Sequence, residues 1–345
     1  MRERQAAVSR TLLVTGGSGY VGGGGLIRDA LALGYRVRCL DLLIYGGRSL
    51  LGLMNHPNFE FVKGDIRDRK MVKSALEGVD AVVHLAAIVG DKPCQAAPRS
   101  AVQINYQGTE LLAMEAHKRG VKHFVFASTC SNYGITDPDV FVGEDDALNP
   151  VSLYAETKID SETLLTQMQS DRFKVTVLRF STAFGLSSRT RFDLTVNSFS
   201  YEAFSEDRIS VFAADMWRPY IHVHDMGRIL LAILDVSGGR GGGIYNAGFT
   251  HMNYTKREII PFLLECMPEV EVEFINTVDD RRSYRVDFTR LHSLLGLEPA
   301  KSVKNGFSEI IESFRNGILR EVDYSSNKLD SLEAFFAANE RKLSV

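Results

Sequence analysis

The chain has 345 residues, 45% of them hydrophobic and 24% charged, with a formal net charge of −3. That is the composition of a globular protein with a sizeable core, and its near balance of charge excludes a polycation built for nucleic acid or an anionic membrane. Cys39, Cys94, Cys130 and Cys266 are scattered, without the paired spacing of a zinc site or a disulfide framework. The polar Met1–Arg10 stretch lacks a signal-peptide core, and no apolar run nears the roughly 20 residues of a membrane span; a soluble, cytoplasmic protein is expected.

Short apolar runs then alternate with longer amphipathic stretches. Thr11–Thr15 reads as a buried strand running into a glycine turn and a helix through Leu33. Tyr35–Leu40, Phe59–Lys63, Ala81–Leu85, His123–Ala127 and Val175–Leu178 read as further strands, with helical patterns between them, notably Val102–His117 and Leu153–Gln169. This alternation predicts an α/β fold with a doubly wound, parallel Rossmann sheet, whose ligand sits beyond the carboxyl ends of the strands. After Phe180 the rhythm changes. Leu194–Phe204, Lys256–Cys266, Thr289–Leu294 and Val303–Phe314 read as helices and Glu271–Phe274 as a short strand. Gly238–Gly243 reads as a flexible joint, and Leu329–Asn339 as a packing helix with Leu332, Phe335 and Phe336 at helical spacing. The expected organisation is a dinucleotide-binding domain over 1–181, with 226–247 returning to it. Residues 182–225 and 248–345 then form a smaller, mostly C-terminal α+β substrate lobe.

The first strand leads into Thr15-Gly16-Gly17-Ser18-Gly19-Tyr20-Val21-Gly22. Glycines at 16, 19 and 22 permit a tight turn and let backbone amides approach a pyrophosphate at a helix N-terminus. Glycine also marks ordinary turns; here a strand precedes the loop, a helix follows, and Asp41 ends the next strand at the interval of a ribose-binding acid. The Asp41 carboxylate can accept both ribose hydroxyls and repels a 2′-phosphate, which favours NAD over NADP. Its plainer reading is a turn cap. Gly22–Gly25 occupies what should be a first helical turn, where each glycine costs about 1 kcal/mol against alanine. Either the backbone packs unusually close to a neighbour there, or the turn is soft.

Tyr154 and Lys158 are four apart and share one helix face. Oxidising an alcohol needs a base for the hydroxyl proton while hydride leaves the carbon. A free phenol titrates near 10, and bringing it toward 7 takes about 4 kcal/mol of preferential phenolate stabilisation. An ammonium one turn away and a positive nicotinamide ring supply that electrostatically. Taken alone, the same pair also describes an ordinary surface helix.

It is accompanied by TGGSGYVG (15–22), Asp41, GDIRD (64–68), HLAA (84–87), INYQGT (104–109), ASTCSNYG (127–134), YAETK (154–158), LRFSTAFG (178–185) and RPYIHVHD (218–225). In this order the pieces resemble the extended short-chain dehydrogenase/reductase family of nucleotide-sugar epimerases and dehydratases. The resemblance implies an NAD-dependent enzyme. Tyr154 would be its base, Lys158 would hold the nicotinamide ribose and tune Tyr154, and Thr129 would share a hydrogen bond with the substrate hydroxyl. It further implies that Gly16, Gly19, Tyr20, Val21 and Gly22 form the cofactor loop. Asp65 and Ile66 would flank the adenine, and Ala86 and Ala87 would let backbone approach the cofactor. Asn105 fits a backbone-bonding role at least as well as catalysis.

A sugar nucleotide carries a diphosphate, which the arginine fork matches. The resemblance places Arg218 on the phosphates, Arg281 or its neighbour Arg282 at a second such position, and Arg191 and Asn197 in the nucleotide-binding stretch RTRFDLTVNSF. A solvated charge cluster is the alternative for Arg281 and Arg282. His222 and His224 alternate along an expected strand without a third ligand in view, so no metal is expected. Cys130 and Ser131 stand where similar 4,6-dehydratases carry an Asp-Glu pair, and Ser131 where similar decarboxylases carry a glutamate, which disfavours both reactions. Thr182 replaces the family's usual asparagine and leaves one diphosphate contact in doubt.

The expected function is NAD-dependent epimerisation of a nucleotide-diphosphosugar at C4, through a transient keto sugar. A C4 dehydrogenase or ketoreductase would use the same residues, whereas a silent NAD-binding regulator would be expected to lose the tyrosine or lysine. A homodimer is implied by the resemblance and by Leu111, Leu112, Leu164, Leu165 and Met168, which exceed what one sheet face covers. Neither nucleic acid nor membrane is expected as a partner.

Overall fold

The computed structural model describes residues 10–236, 241–276 and 282–325, together with Phe335. Its strands in chain order are β1 (Thr11–Thr15), β2 (Arg36–Asp41), β3 (Phe59–Lys63), β4 (Ala81–His84), β5 (His123–Thr129), β6 (Phe141–Val142) and β7 (Lys174–Phe180). There follow β8 (Thr182–Phe184), β9 (Arg208–Phe212), β10 (Trp217–His222), β11 (Gly243–Ala247), β12 (Asn253–Thr255), β13 (Glu271–Ile275) and β14 (Arg285–Val286). A seven-stranded, wholly parallel sheet runs in the order β11-β7-β5-β4-β1-β2-β3. Along β1, Leu12 and Val14 enter one apolar cluster and Leu13 enters another. A continuous apolar run projecting alternately to two faces is what a sheet covered on both sides requires.

The strand order reverses between β1 and β4, with β2 and β3 on one side and the later strands on the other. The crevice beyond the carboxyl ends at such a reversal is the ligand position of an open α/β sheet. Beside it, β10 joins β8 in parallel and β12 antiparallel, and β9 joins β13. The helices Thr195–Glu206, Lys256–Leu264 and Val303–Arg315 pack with these short strands. β11 returns to the large sheet beside β7, while β6 leaves the neighbourhood of β5 to pair with β14.

Several elements depart from expectation. Gly22–Leu26 forms a π-helical turn before the helix Ile27–Ala32, and Gly25 has φ of +128°. A Cβ on Gly24 would lie 2.5 Å from Val223 Cγ2, so close packing, not softness, explains the glycine run. The helix expected from Val102 instead starts at Pro98 and passes a π turn, Gln103–Gly108, before Thr109–Lys118. His222 ends β10 and caps the helix Val223–Asp235 by accepting His224 N, so the two histidines do not alternate along a strand. Of the five apolar residues assigned to a dimer face, Leu112 and Leu165 are fully buried in the protein's own core, and only Leu111, Leu164 and Met168 remain half-buried. Of the joint expected at Gly238–Gly243, residues 238–240 lie outside the described residues, whereas Gly243 already begins β11; the tail Leu329–Asn339 also lies outside them apart from Phe335, which packs on the cluster around Leu13. Among the described residues no helix is long and apolar enough to cross a membrane.

Candidate active site

The turn after β1 runs across the end of β4. Gly16 has φ of +71°, and a Cβ there would lie 2.6 Å from Ala86 N. Gly19 N donates to Gly16 O at 3.1 Å, and a Cβ on Gly22 would fall 1.9 Å from Gly17 O. Bare backbone therefore lines the crevice, bordered by half-buried Ala86 and Ala87, which is the surface a pyrophosphate needs. Tyr20 is buried and its hydroxyl donates to Gly185 O at 2.6 Å. Val21 packs on the main core. Asn197 is fully buried: its Oδ1 accepts Gly185 N at 2.9 Å, and its Nδ2 donates to Tyr20 Oη at 3.2 Å and Arg191 O at 2.8 Å. The structure thus places Asn197 as a bracket tying the glycine loop to the Arg191 loop.

Asp41 ends β2 with Oδ2 accepting Ser18 N at 2.9 Å and Oδ1 accepting Leu43 N at 2.8 Å. Burial raises its carboxyl above the ordinary range, opposed by those amides and by Arg189. The Arg189 guanidinium lies 3.7 Å over the Tyr45 ring, which brings a cation to the ribose side of the crevice. Sequence reasoning passed over both residues; the only hint was the RTR run. Asp65 is paired with Arg67 at 2.7 Å, and Arg67 also donates to Gln103 Oε1 at 3.1 Å. Buried Ile66 fills the space beside Gly108, its Cδ1 2.8 Å from where a Cβ would stand.

Ser152 caps the helix Leu153–Met168 by accepting Ala155 N at 3.3 Å. Tyr154, Lys158 and Glu162 follow at one-turn intervals and are all buried. Thr129, last residue of β5, accepts Ser131 N at 3.1 Å, and its side chain favours ionisation of the Tyr154 phenol. Lys158 Nζ donates to Ala127 O at 2.8 Å and lies 5.9 Å from the Tyr154 ring centre. Burial depresses Lys158 to about 8, opposed by Cys94 and Glu162. Burial likewise pushes the Tyr154 phenol up; the Arg191 guanidinium is the first influence to oppose it, with Thr129 also lowering it, while Cys94 and Asp91 add to the rise. Arg191 is thus the first cation to favour the phenolate, and the Lys158 ammonium, held near the ring by a strand carbonyl, is a second positive charge beside it.

Arg191 pairs with Asp193 at 2.5 Å and its side chain is only 14% exposed. Buried Arg218 donates to Trp217 O at 2.7 Å and to Arg282 O, and its guanidinium lies 5.2 Å over the Tyr284 ring. Tyr284 Oη stands 3.4 Å from Ser131 Oγ. Arg282 pairs with Asp91 at 2.8 Å, whereas Arg281 lies outside the described residues. Two other residues with the chemistry of a base, Cys130 and His84, face inward. Cys130 Sγ donates to Arg179 O at 3.0 Å. His84 sits between Thr15 Oγ1 at 2.6 Å and Thr109 Oγ1 at 2.8 Å, depressed to about 3 by burial and by Lys158. Asn105 bonds the backbone, accepting Ile88 N at 2.8 Å and donating to Ile88 O at 2.9 Å. His222 is engaged by Glu309 at 2.6 Å; no group of three or more potential metal ligands occurs among the described residues.

The model of the NAD dependent epimerase/dehydratase family matches residues 12–248. The chain is 30% identical over 312 residues to dTDP-glucose 4,6-dehydratase of Streptomyces griseus, covering 87% of this chain and 92% of that protein. It is 31% identical over 314 residues to UDP-glucose 4-epimerase of Mycolicibacterium smegmatis, covering 88% and 98%. The fold superposes with a TM-score of 0.80 on dTDP-glucose 4,6-dehydratase from Streptomyces venezuelae with NAD and TYD bound, at 27% identity, covering 92% of this chain and 100% of that one. A TM-score of 0.79 relates it to Bacillus cereus UDP-glucuronic acid 4-epimerase in complex with UDP-glucuronic acid and NAD; at 23% identity, over 89% and 99% of the two chains, this is a likeness of fold alone. The family match spans the glycine turn, the Tyr154 helix and the returning strand β11. The chain belongs to the NAD dependent epimerase/dehydratase family of enzymes, whose cofactor is NAD.

Proposed function

We propose that the protein epimerises a nucleotide-diphosphosugar at C4 through a transient keto sugar. The observation that carries this reading is the cluster of buried Thr129, Tyr154 and Lys158, with the ammonium 5.9 Å from the phenol ring centre, while Cys130 is turned inward and Ser131 set against Tyr284, so that no acid stands at 130 or 131 to expel water. The bare backbone at Gly16, Gly19 and Gly22, the Asp41 carboxylate, Ile66 beside Asp65, the small Ala86 and Ala87, and Lys158 fit a dinucleotide. NAD held there supplies a reversible hydride acceptor. Tyr154 takes the C4 hydroxyl proton, Thr129 lines the proton's path, and Lys158 holds the ribose while adding positive charge near the phenolate. Arg218 and Arg191 anchor the diphosphate, about which the keto sugar turns before Tyr154 returns the proton.

Conversion of UDP-glucose and dTDP-glucose, followed by NMR, should give the C4 epimer with no accumulation of reduced cofactor. Released keto sugar with stoichiometric NADH would instead identify a dehydrogenase. By calorimetry NAD should bind in clear preference to NADP, because Asp41 repels a 2′-phosphate, and Asp41→Asn should narrow the gap. Equal or tighter NADP binding would mean that Arg189, not Asp41, governs that end of the crevice.

A homodimer through the helices Thr109–Lys118 and Leu153–Met168 completes the proposal. Half-buried Leu111 and Leu164 and the exposed Met114 provide the apolar surface that remains there. Sedimentation at micromolar concentration should show a dimer; a monomer alone counts against it.

A further inference from the structure

Asp91 follows Gly90, whose φ is +102°, just past the end of β4. Its Oδ2 is paired with Arg282 Nη1 at 2.8 Å. Its Oδ1 is buried and has no hydrogen-bond partner. The helix that Asp91 opens, Asp91–Ala96, packs against the Tyr154 helix, and the carboxylate acts on the phenol; Arg191 Nη2 is 3.8 Å from where a Gly90 Cβ would stand. An unpaired buried acceptor is costly, so a carboxylate oxygen left bare next to the reacting group marks a place where a ligand donates.

We infer that Asp91 is a specificity-determining contact to the sugar of the nucleotide-sugar substrate, its free Oδ1 accepting a hydrogen bond from the C6 hydroxyl of a neutral hexose. This rests on the functional reading above and names the sugar class that the site selects. Charge balance supports it. Arg191 is answered by Asp193 and Arg282 by Asp91, so both of these arginines are already matched by a carboxylate. A uronic acid would bring a further anion toward Oδ1, setting two acceptors together with no proton between them. A hydroxyl brings the missing proton. None of the glycine-loop, Tyr154 or arginine motifs in the sequence pointed to Asp91, because its role depends on Arg282 arriving from a distant part of the chain.

Calorimetry on the NAD-loaded protein with UDP-glucose, UDP-glucuronic acid and UDP, and with dTDP-glucose and dTDP in parallel, tests the inference. Wild type should bind the neutral sugar nucleotide about 10-fold or more tighter than the uronate, the scale of one hydrogen bond to a charged group. Asp91→Asn should weaken the neutral sugar nucleotide by about 10-fold, improve the uronate, and leave UDP and dTDP unchanged, with NAD affinity retained as evidence of an intact fold. Equal weakening of UDP and UDP-glucose would show that Asp91 only positions Arg282 for the diphosphate, and would overturn the inference. So would wild-type protein that binds UDP-glucuronic acid as tightly as UDP-glucose. Failure of every nucleotide and nucleotide sugar to bind wild type would instead overturn the functional reading itself.

Discussion

Replacing Tyr154 with phenylalanine should lower turnover at least about 100-fold, the loss expected for a general base, while fold and NAD affinity stay near wild type. The ring, buried in the core cluster around Leu13, and its packing remain, and only the hydroxyl is lost. Thr129→Val should cost less, because it lines the proton's path without being the base. Near-normal turnover of Tyr154→Phe on the true substrate would move the base elsewhere, and the inward-facing Cys130 and His84 are poor replacements.

Lys158→Met completes the same experiment and has a defined pH sign. In the folded protein burial depresses Lys158 from 10.5 to about 8. Below pH 8 the ammonium is charged in both folded and unfolded chains, and the folded state carries the full burial penalty, at most about 3 kcal/mol. As pH rises from about 8 to 10.5 only the unfolded chain still binds the proton, so the penalty fades. Lys158→Met should therefore be relatively more stable than wild type near neutrality, less the lost bond to Ala127 O, and the advantage should shrink toward pH 10.5. Its residual pH–rate profile should move to higher pH and its NAD affinity should fall. Urea melts at pH 7 and pH 10 separate this from simple loss of folding.

The largest effect on stability is expected at Arg179. It forms a buried ion pair with Glu162 at 2.7 Å and also donates to Tyr133 Oη at 3.1 Å and Glu144 O at 3.2 Å. Burial alone would lower the guanidinium's affinity for its proton, yet Glu162 and Tyr133 hold it above the ordinary value. Glu162 also takes Ser128 Oγ and, at 2.8 Å, Asn132 Nδ2. The network joins β7, the Tyr154 helix and the residues flanking Thr129. Arg179→Met should destabilise the fold by about 3–5 kcal/mol, because it leaves the Glu162 charge buried and unmatched. Adding Glu162→Gln should recover a large part of that loss, since the stranded charge disappears with it. A single variant melting within about 1 kcal/mol of wild type would show that the pair braces nothing.

The local chemistry of this protein is legible in its amino-acid sequence alone. Apolar runs mark β1 and β4, and their alternation with helices foretells a parallel sheet, because a strand covered on both faces must be apolar throughout. The glycine turn and the one-turn spacing of Tyr154 and Lys158 are equally readable, since both depend on residues a few positions apart. Tertiary structure decides what lies across the chain. Val223 packing on Gly24 gives the glycine run its reason, and Asn197, expected on the substrate, is absorbed between Tyr20 and Gly185. Lys158 is claimed by Ala127 O, and Leu112 and Leu165, both expected at an interface, go into the core instead. Arg189 over Tyr45 and Asp91 against Arg282 join residues far apart in the chain. No periodicity encodes such pairs: they arise where the strand order reverses and later segments fold back over the carboxyl ends of the sheet, and the physics of the site is set by which charges that crossing brings together.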